Sequence, residues 1–182
     1  PGVRQYGIVD FDSLGQARSA GFTGANCMNY KNHITGPNYA IQGNILLGQQ
    51  ILDSMEARFL REDGTLAEKL MAALQGAKVP GADTRCTENG TSSLSAFIRV
   101  AHPWDTEGNF YCDINVPSLP EGMEPIDSLQ ILFDQWLQLT VEVPEVSPSA
   151  PPLLILPNPA RNTIRIRTGE GISDALHDNR PA

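Results

Sequence analysis

Two adjacent amphipathic segments between residues 49 and 76 constrain the fold of this chain more than any other feature. The first is predicted as a helix over about 49 to 61, because its apolar residues recur at helical spacing: Ile51, Leu52, Met55 and Phe59. The second, over about 65 to 76, begins at a capping-box signature in which Glu68 follows Thr65 by three residues. A helix with one apolar face has to bury that face, here against a sheet.

The strands of that sheet are predicted from period-two and strand-like composition. They are Gln5 to Phe11, Gln16 to Thr23, Tyr39 to Gln42, Ser93 to Ala101 and Phe110 to Val116. The stretch 24–38 is polar and rich in Asn and Gly, so it is predicted as a loop. A third helix is predicted over 127 to 140. These elements together predict an α+β fold with a mainly antiparallel sheet.

Domain boundaries are predicted from the prolines. Residues 141–152 contain four prolines with Ser and Glu, a composition that cannot bury a core and is typical of a linker. The folded domain is therefore assigned to 1–140, and 153–182 is assigned to a tail. Two short strands are predicted in the tail, Leu153 to Leu156 and Thr163 to Arg167, while 169–182 has little to pack.

The amino-acid composition and charge exclude some classes of binding partner. The 182 residues are 41% hydrophobic and carry a net charge of -8, so the chain lacks a basic surface for nucleic acid or an anionic membrane. No run approaches the roughly 18 apolar residues of a membrane span. A soluble chain without nucleic-acid partners is expected.

Cofactor and metal chemistry find little support in the sequence. The three cysteines lack Cys-x-x-Cys spacing and the three histidines are scattered, so no metal site is predicted. Neither Gly-x-Gly-x-x-Gly nor a Walker motif is present, so no cofactor is predicted. Cys27 and Cys86 either form a disulfide in an oxidising compartment or remain buried free thiols, and the sequence favours neither.

A dense group of residues from Thr23 to Gly48 carries a resemblance to a known family. It comprises Thr23-Gly24-x-x-Cys27, then His33-x-x-Gly36-x-x-Tyr39-Ala40-x-Gln42-Gly43-Asn44-x-Leu46-x-Gly48. The pattern resembles domain-of-unknown-function family 1028, a prokaryotic family placed in the Ntn-hydrolase superfamily, and the resemblance covers about residues 4 to 140. The chain departs from the family where Tyr30 and Asn32 replace the usual Trp and Gly before His33.

The resemblance implies a layered Ntn-hydrolase-like sheet and helices, and an amide-bond hydrolase. Such enzymes use an N-terminal Ser, Thr or Cys whose own α-amine acts as the base. Pro1 has no nucleophilic side chain, and the first residues contain neither an initiator Met nor a signal peptide. We therefore expect the N-terminal strands, with the nucleophile, to be missing, and this portion to be inactive alone.

Four residues are candidates for the rest of the catalytic site. Asn44 is predicted to donate to the oxyanion, or alternatively to shape a turn and cap the next helix. Asp83 and Arg85 are predicted to orient the amine or bind a substrate carboxylate, or alternatively to form a structural ion pair. His33 is predicted to face the same cleft, or to be structural. We expect Asn44, Asp83 and Arg85 to converge on one rim of the sheet.

A second resemblance lies in the tail. Leu156-Pro157-Asn158-Pro159-Ala160-x-Asn162-x-Ile164 is similar to the opening of the C-terminal sorting domain used by the type IX secretion system of Bacteroidetes-type bacteria. It implies a secreted or cell-surface protein that contacts the secretion machinery, although the tail looks truncated.

Two functions remain open at this point. One is an exported amide hydrolase acting on a small-molecule or peptide-like substrate, and the other is a non-catalytic cell-surface or cell-envelope binding module. A third idea, that the Pro1 amine acts as a general base as in tautomerase-type enzymes, has no further motif behind it. An incomplete sheet would leave apolar surface exposed and favour homo-oligomers.

Overall fold

A computed structural model describes residues 2–141, 154–158, 163–168 and 171–176. They form a mixed α+β fold with three helices and small antiparallel sheets, which confirms the predicted class. The chain divides into two compact units, 1–127 and 128–182.

The first unit contains three two-stranded antiparallel hairpins. They pair β1 (Gln5–Phe11) with β2 (Ala17–Thr23), β3 (Asn32–Gly36) with β4 (Tyr39–Gly43), and β5 (Ala96–Val100) with β6 (Cys112–Val116). The prediction that 24–38 is a loop is wrong for β3. Its polar residues form a strand because they pair with β4, and strand formation depends more on such neighbours than on composition.

Two glycines let the first hairpin lie against the second. Gly7 and Gly21 are opposite each other in the β1–β2 register. A Cβ atom at Gly7 would collide with the side chain of Gln42, and one at Gly21 would collide with the ring of His33. This close approach joins the ends of four strands at the site described below.

The helices are α1 (Gln49–Arg61), α2 (Leu66–Gly76) and α3 (Pro125–Val141), close to their predicted bounds. The buried apolar residues of α1 and α2 are Ile51, Leu52, Phe59, Ala67, Met71 and Ala73. At the end of α2, a Cβ atom on Gly76 would lie 2.6 Å from the carbonyl oxygen of Ser54 in α1. The two helices therefore meet backbone to backbone at this point.

The capping box predicted at Thr65 is present. The Thr65 hydroxyl accepts from the Glu68 N–H at 3.4 Å, and the Glu68 carboxylate accepts from the Thr65 N–H at 2.7 Å. The hydrogen bond from the Thr65 backbone N–H is the main cause that lowers the pKa of Glu68, and the hydrogen bond from the Thr65 hydroxyl lowers it further. Because the charged carboxylate is the bonded form, its stabilising effect is present above the ordinary Glu pKa and is lost as pH falls through the lowered value.

We expect Thr65→Ala to reduce the free energy of unfolding by about 1 kcal/mol at pH 7. The difference from the parent should be smaller at pH 3 than at pH 7, because protonation of Glu68 removes the bonded carboxylate as the pH falls through its lowered pKa. Urea denaturation at both pH values measures it. Thr106→Ala, at an exposed loop position, is the control and should change little. A Thr65→Ala effect that is absent at pH 7, or equal at both pH values, would contradict the expectation.

The outer face of the β1–β2 hairpin is apolar and exposed. Tyr6, Ile8 and Phe22 lie on it, with 57%, 62% and 43% of their surface exposed. Because side chains alternate along a strand, these residues point away from the face on which Gly7 and Gly21 approach β3 and β4.

We expect residues 1–182 to self-associate through this outer face. Ile8→Lys should shift the population towards monomer in sedimentation-velocity runs, since it places a charge within the apolar patch. Leu14→Lys, at the exposed hairpin turn, is the matched control and should leave association unchanged. A parent chain that is already a clean, cooperatively melting monomer would rule the expectation out.

The second unit includes most of α3 and a three-stranded antiparallel sheet in the order β7 (Leu154–Asn158), β8 (Thr163–Thr168) and β9 (Gly171–Leu176). The prediction that 169–182 has little to pack is wrong for β9. Main-chain pairing with β8 makes this strand, and composition does not report such pairing. The predicted linker lies outside the described residues, apart from Val141 at the end of α3. No helix in the described ranges is long and apolar enough to cross a membrane.

Candidate functional site

The side-chain amide of Gln5 connects the ends of four strands. Its nitrogen donates to the Thr23 hydroxyl at 3.0 Å and to the carbonyl oxygens of Asn32 at 3.1 Å and Gly43 at 2.9 Å. Three acceptors share two N–H groups, so at least one of these bonds is bifurcated. Gln5 therefore fixes the start of β1 against β2, β3 and β4.

Asn44 follows β4 directly and is exposed. Its amide nitrogen donates to the side-chain oxygen of Gln5 at 2.9 Å. The alternative that Asn44 caps α1 does not hold, because the N-cap residue is Gly48, which supplies no side-chain bond. Gln5 accepts one Asn44 N–H and thereby orients the amide, which carries a second hydrogen.

His33 joins the same network through Thr23. The His33 Nδ1 and the Thr23 Oγ1 are 2.9 Å apart. The Thr23 hydroxyl accepts from Gln5 and retains its own proton, which it can donate to Nδ1 of a neutral His33. We call this series of hydrogen-bonded side chains, Asn44, Gln5, Thr23 and His33, the amide relay.

Asp83 and Arg85 form a two-pronged ion pair. The Arg85 Nε lies 2.9 Å from Asp83 Oδ1, and the Arg85 Nη2 lies 2.5 Å from Asp83 Oδ2. The Asp83 carboxylate also caps a turn of 3-10 helix, Thr84–Cys86, by accepting from the Arg85 N–H at 3.0 Å. The Arg85 side chain lowers the pKa of Asp83 and outweighs the opposing effect of burial. Asp83 is thus a charged, locally bonded carboxylate.

The ion pair lies on the segment that runs beside the residues after Asn44. Asp83 forms an antiparallel bridge with Leu46, and the Thr84 N–H donates to the Ile45 carbonyl at 2.9 Å. Within the described residues, no hydrogen bond joins Asn44 to Asp83 or Arg85. The structure thus brings Asn44 and His33 together through the amide relay and places the ion pair on the adjacent segment.

Ile45 has φ of 62°, a conformation that a β-branched residue rarely adopts. Its N–H donates to the Met28 carbonyl, and its carbonyl accepts from Thr84. Pairing on both sides therefore holds this strained residue directly beside Asn44.

A glutamate supports the segment that carries the ion pair. The Glu124 carboxylate accepts from the Ser92 N–H at 2.7 Å and from the Ser92 hydroxyl at 2.6 Å. The Ser92 carbonyl in turn accepts from the Asp83 N–H at 2.9 Å. These hydrogen bonds link Asp83 through Ser92 to Glu124 and so fix the position of the Asp83 backbone.

Tyr30 and Asn32 share a hydrogen-bond partner. The Tyr30 hydroxyl and the Asn32 amide donate to the side-chain oxygen of Gln49, at 2.7 Å and 2.8 Å. Both side chains therefore tie the start of β3 and the residues before it to the first turn of α1.

Comparisons with known proteins found a family and a solved structure that are similar to this domain. The model of a family of unknown function, DUF1028, matches residues 1–129. The chain belongs to this family. A crystal structure of a DUF1028 protein from Silicibacter pomeroyi is similar with a TM-score of 0.50 and 26% sequence identity, over 71% of this chain and 51% of that chain. The chain therefore spans about half the length of that protein. No match was found among curated proteins.

The thiols of the DUF1028 chain are poorly suited to nucleophilic chemistry. Cys27, Cys86 and Cys112 are free and buried, so the structure has the free-thiol alternative rather than a Cys27–Cys86 disulfide. Burial is the main cause that raises the pKa of Cys112 to about 12, and the nearby Asp113 charge adds to it. Burial also raises the pKa of Cys86. A raised pKa disfavours the reactive thiolate. The described residues include no cluster of His, Cys, Asp or Glu that could hold a metal ion.

Sequence reasoning did not identify Gln5 and Thr23 as site residues of the DUF1028 domain. They are opposite each other in the β1–β2 register, at the open end of the predicted hairpin. That register was the available signal, because two polar residues facing each other at a strand end are placed to bond.

Proposed function

We propose that this DUF1028 domain is the supporting half of an exported Ntn-type amide hydrolase, whose nucleophile belongs to polypeptide outside residues 1–182. The observation that carries the proposal is the amide relay. It holds an exposed amide donor, Asn44, at the end of a strand and orients it through Gln5.

In the proposed reaction, a Ser, Thr or Cys at the mature N-terminus adds to the substrate carbonyl carbon. The carbonyl electron pair moves to oxygen, and the nucleophile's proton passes to its α-amine. The Asn44 N–H that Gln5 does not take then donates to the oxyanion. When the oxyanion collapses and the C–N bond breaks, the protonated α-amine gives the proton to the leaving nitrogen. A water molecule, deprotonated by the α-amine, then adds to the acyl-enzyme carbonyl, and cleavage of the acyl bond releases the acid and restores the nucleophile with its proton.

Arg85 supplies a binding role in the proposal. Its side chain is 69% exposed, and the guanidinium has five N–H donors, of which the pair with Asp83 engages two nitrogens. The donors that remain can bind a substrate carboxylate. The proposed substrate is therefore a small or peptide-like amide that carries an acidic group.

The export part of the proposal rests on the tail. Its sorting-like motif supports secretion or cell-surface location and contact with the secretion machinery. Fusing the complete protein to a reporter and fractionating the cells would test it, and a reporter found only in the cell interior would contradict it.

The mature N-terminus of the complete protein tests the enzyme proposal. Intact-mass and N-terminal peptide mass spectrometry should find a chain that starts at Ser, Thr or Cys. That protein should release p-nitroaniline from acyl p-nitroanilides, and replacement of its first residue by Ala should abolish the release. A mature chain that starts at any other residue type would overturn the proposal.

The second candidate is a non-catalytic surface or envelope binding module. The observation that favours it is the local pairing of Asp83 with Arg85, which satisfies both charges structurally. The same mass spectrometry separates the two candidates, because a binding module needs no particular first residue.

A further inference from the structure

The loop between β5 and β6 holds a tryptophan in an exposed position. Trp104 has 74% of its surface exposed, the largest fraction among the exposed aromatic residues that the structure describes. A single exposed apolar residue needs no explanation in itself. What distinguishes Trp104 is the set of contacts that holds its ring in place while one ring face stays open.

Trp104 belongs to a stack of three rings. Its indole lies parallel to the imidazole of His102, with the ring centroids 4.7 Å apart and 8° between the planes. The His102 ring also meets Tyr111 edge to face, with the centroids 4.4 Å apart and an angle of 65°. Parallel and edge-to-face contacts are the arrangements that aromatic pairs favour. Because His102 covers one face of the indole, the exposed surface of Trp104 is mainly the opposite face.

A carboxylate joins the two residues that support the indole. The Asp105 Oδ2 accepts from the backbone N–H of His102 and from that of Tyr111, both at 2.8 Å. The Asp105 side chain is only 11% exposed, and its own backbone N–H donates to the His102 carbonyl at 3.0 Å. The loop is therefore fixed around the ring stack, and a ligand on Trp104 meets a preorganised surface.

The charge around this ring favours a cation as the ligand. The face of an aromatic ring carries negative potential and attracts cations, most strongly in tryptophan. Asp105 and Glu107 follow Trp104 closely in the sequence, and the chain as a whole carries a net charge of -8. Arg99 is the one Lys or Arg between residues 96 and 116, and it lies 4.8 Å from the ring centroid of Phe110. This arginine is therefore engaged with another ring of the same hairpin.

The hydrogen bonds of Asp105 narrow the class of cation. A primary ammonium or a guanidinium brings several N–H donors, and each needs an acceptor when it gives up water. The Asp105 carboxylate is largely buried, and its Oδ2 already accepts two backbone N–H groups. It therefore supplies negative charge more readily than new hydrogen bonds. A quaternary ammonium group has no N–H donor and needs only an aromatic face and a nearby negative charge.

We propose that the open face of Trp104 binds the quaternary ammonium group of a small-molecule ligand, and that Asp105 and Glu107 supply the balancing charge. The site uses no residue of the amide relay, so it does not depend on the proposed hydrolase activity. Its residues all lie within the first unit. Its tests therefore use binding to the 1–182 chain as the readout.

The first test is a choline titration of the isotope-labelled 1–182 chain, followed by nuclear magnetic resonance at constant chloride concentration. The chain has two tryptophans, so two indole N–H signals are expected, and the buried Trp136 is the internal control. We expect a saturable shift of the Trp104 signal and no shift of the Trp136 signal. A Trp104 signal that does not move, or that moves in parallel with that of Trp136, would overturn the proposal.

The second test separates cation binding from apolar contact. The control ligand is the alcohol in which a tert-butyl group replaces the trimethylammonium group of choline. It should bind at least about fivefold more weakly than choline, the ratio that about 1 kcal/mol of cation–π energy gives. Equal affinity for the two ligands would overturn the proposal in favour of an apolar contact. Methylammonium that binds as tightly as choline would overturn the quaternary class.

Substitution of the ring locates the binding. Trp104→Leu removes the aromatic face and should abolish saturation transfer from the protein to the choline methyl protons. Phe97→Leu removes another exposed ring of the same hairpin, so it is the matched control and should bind choline as the parent does. Binding retained by Trp104→Leu, or lost in Phe97→Leu, would overturn the location.

Two further variants test the charges. Asp105→Asn keeps an oxygen for the two backbone bonds and removes the charge, while Glu107→Gln removes an exposed charge that the loop does not need for its bonds. Each should weaken choline binding about twofold or more, because each removes part of the attraction for the cation. Unchanged affinity in both variants would overturn the assigned role of the two carboxylates. If Asp105→Asn disturbs the loop, the Glu107→Gln result decides.

Discussion

Replacing Gly76 with valine is expected to lower the free energy of unfolding by about 3 kcal/mol. A Cβ atom at this position would lie 2.6 Å from the Ser54 carbonyl oxygen and 2.7 Å from the Met55 nitrogen. Both are backbone atoms of α1, which cannot move aside as a flexible side chain can. The two helices must then separate, and the buried contacts between them weaken.

Gly76→Ala should have a smaller effect, because alanine favours helix over glycine by about 1 kcal/mol and offsets part of the collision. Ala57→Val is the matched control, since it adds a β-branched side chain at an exposed position of α1. Urea denaturation of the three variants gives the free energies. Equal stability of Gly76→Val and Ala57→Val would mean that the helices do not meet at Gly76.

Asn44→Ala in the complete, processed protein is expected to lower turnover by about a hundredfold, if Asn44 is the proposed oxyanion donor. The donor acts on charge that develops in the transition state. The variant should therefore lower kcat and kcat/KM together and leave KM nearly unchanged. Initial rates of p-nitroaniline release over a range of substrate concentrations measure both constants.

Asn38→Ala, at an exposed position of the β3–β4 turn, is the matched control and should retain the parent rate. Gln5→Ala should also slow turnover, because it removes the acceptor that orients the Asn44 amide. Unchanged turnover in Asn44→Ala would remove the proposed donor while leaving the family assignment standing.

The elements predicted correctly are those whose signal is local. Helical periodicity defines α1, and the capping box places the start of α2 at Thr65. β3 and β9 were missed because what makes them strands is pairing, with β4 and β8 respectively. Neither has a period-two apolar pattern strong enough to stand alone.

The site divides in the same way. Asn44 and His33 were proposed through the family resemblance, whereas Gln5 and Thr23, which lie between them in the network, were not. The bond between Gln5 and Asn44 spans 39 positions of the chain. It forms only because Gly7 and Gly21 allow one hairpin to lie on another, and sequence patterns of single strands do not report how hairpins stack.

The described sheets pair only strands that follow one another in the chain. This feature bears on how the protein folds. Closing a short turn costs little entropy, and an isolated hairpin forms in about 1–10 µs. Low contact order of this kind favours rapid folding, so the hairpins can form as the nascent chain leaves the ribosome.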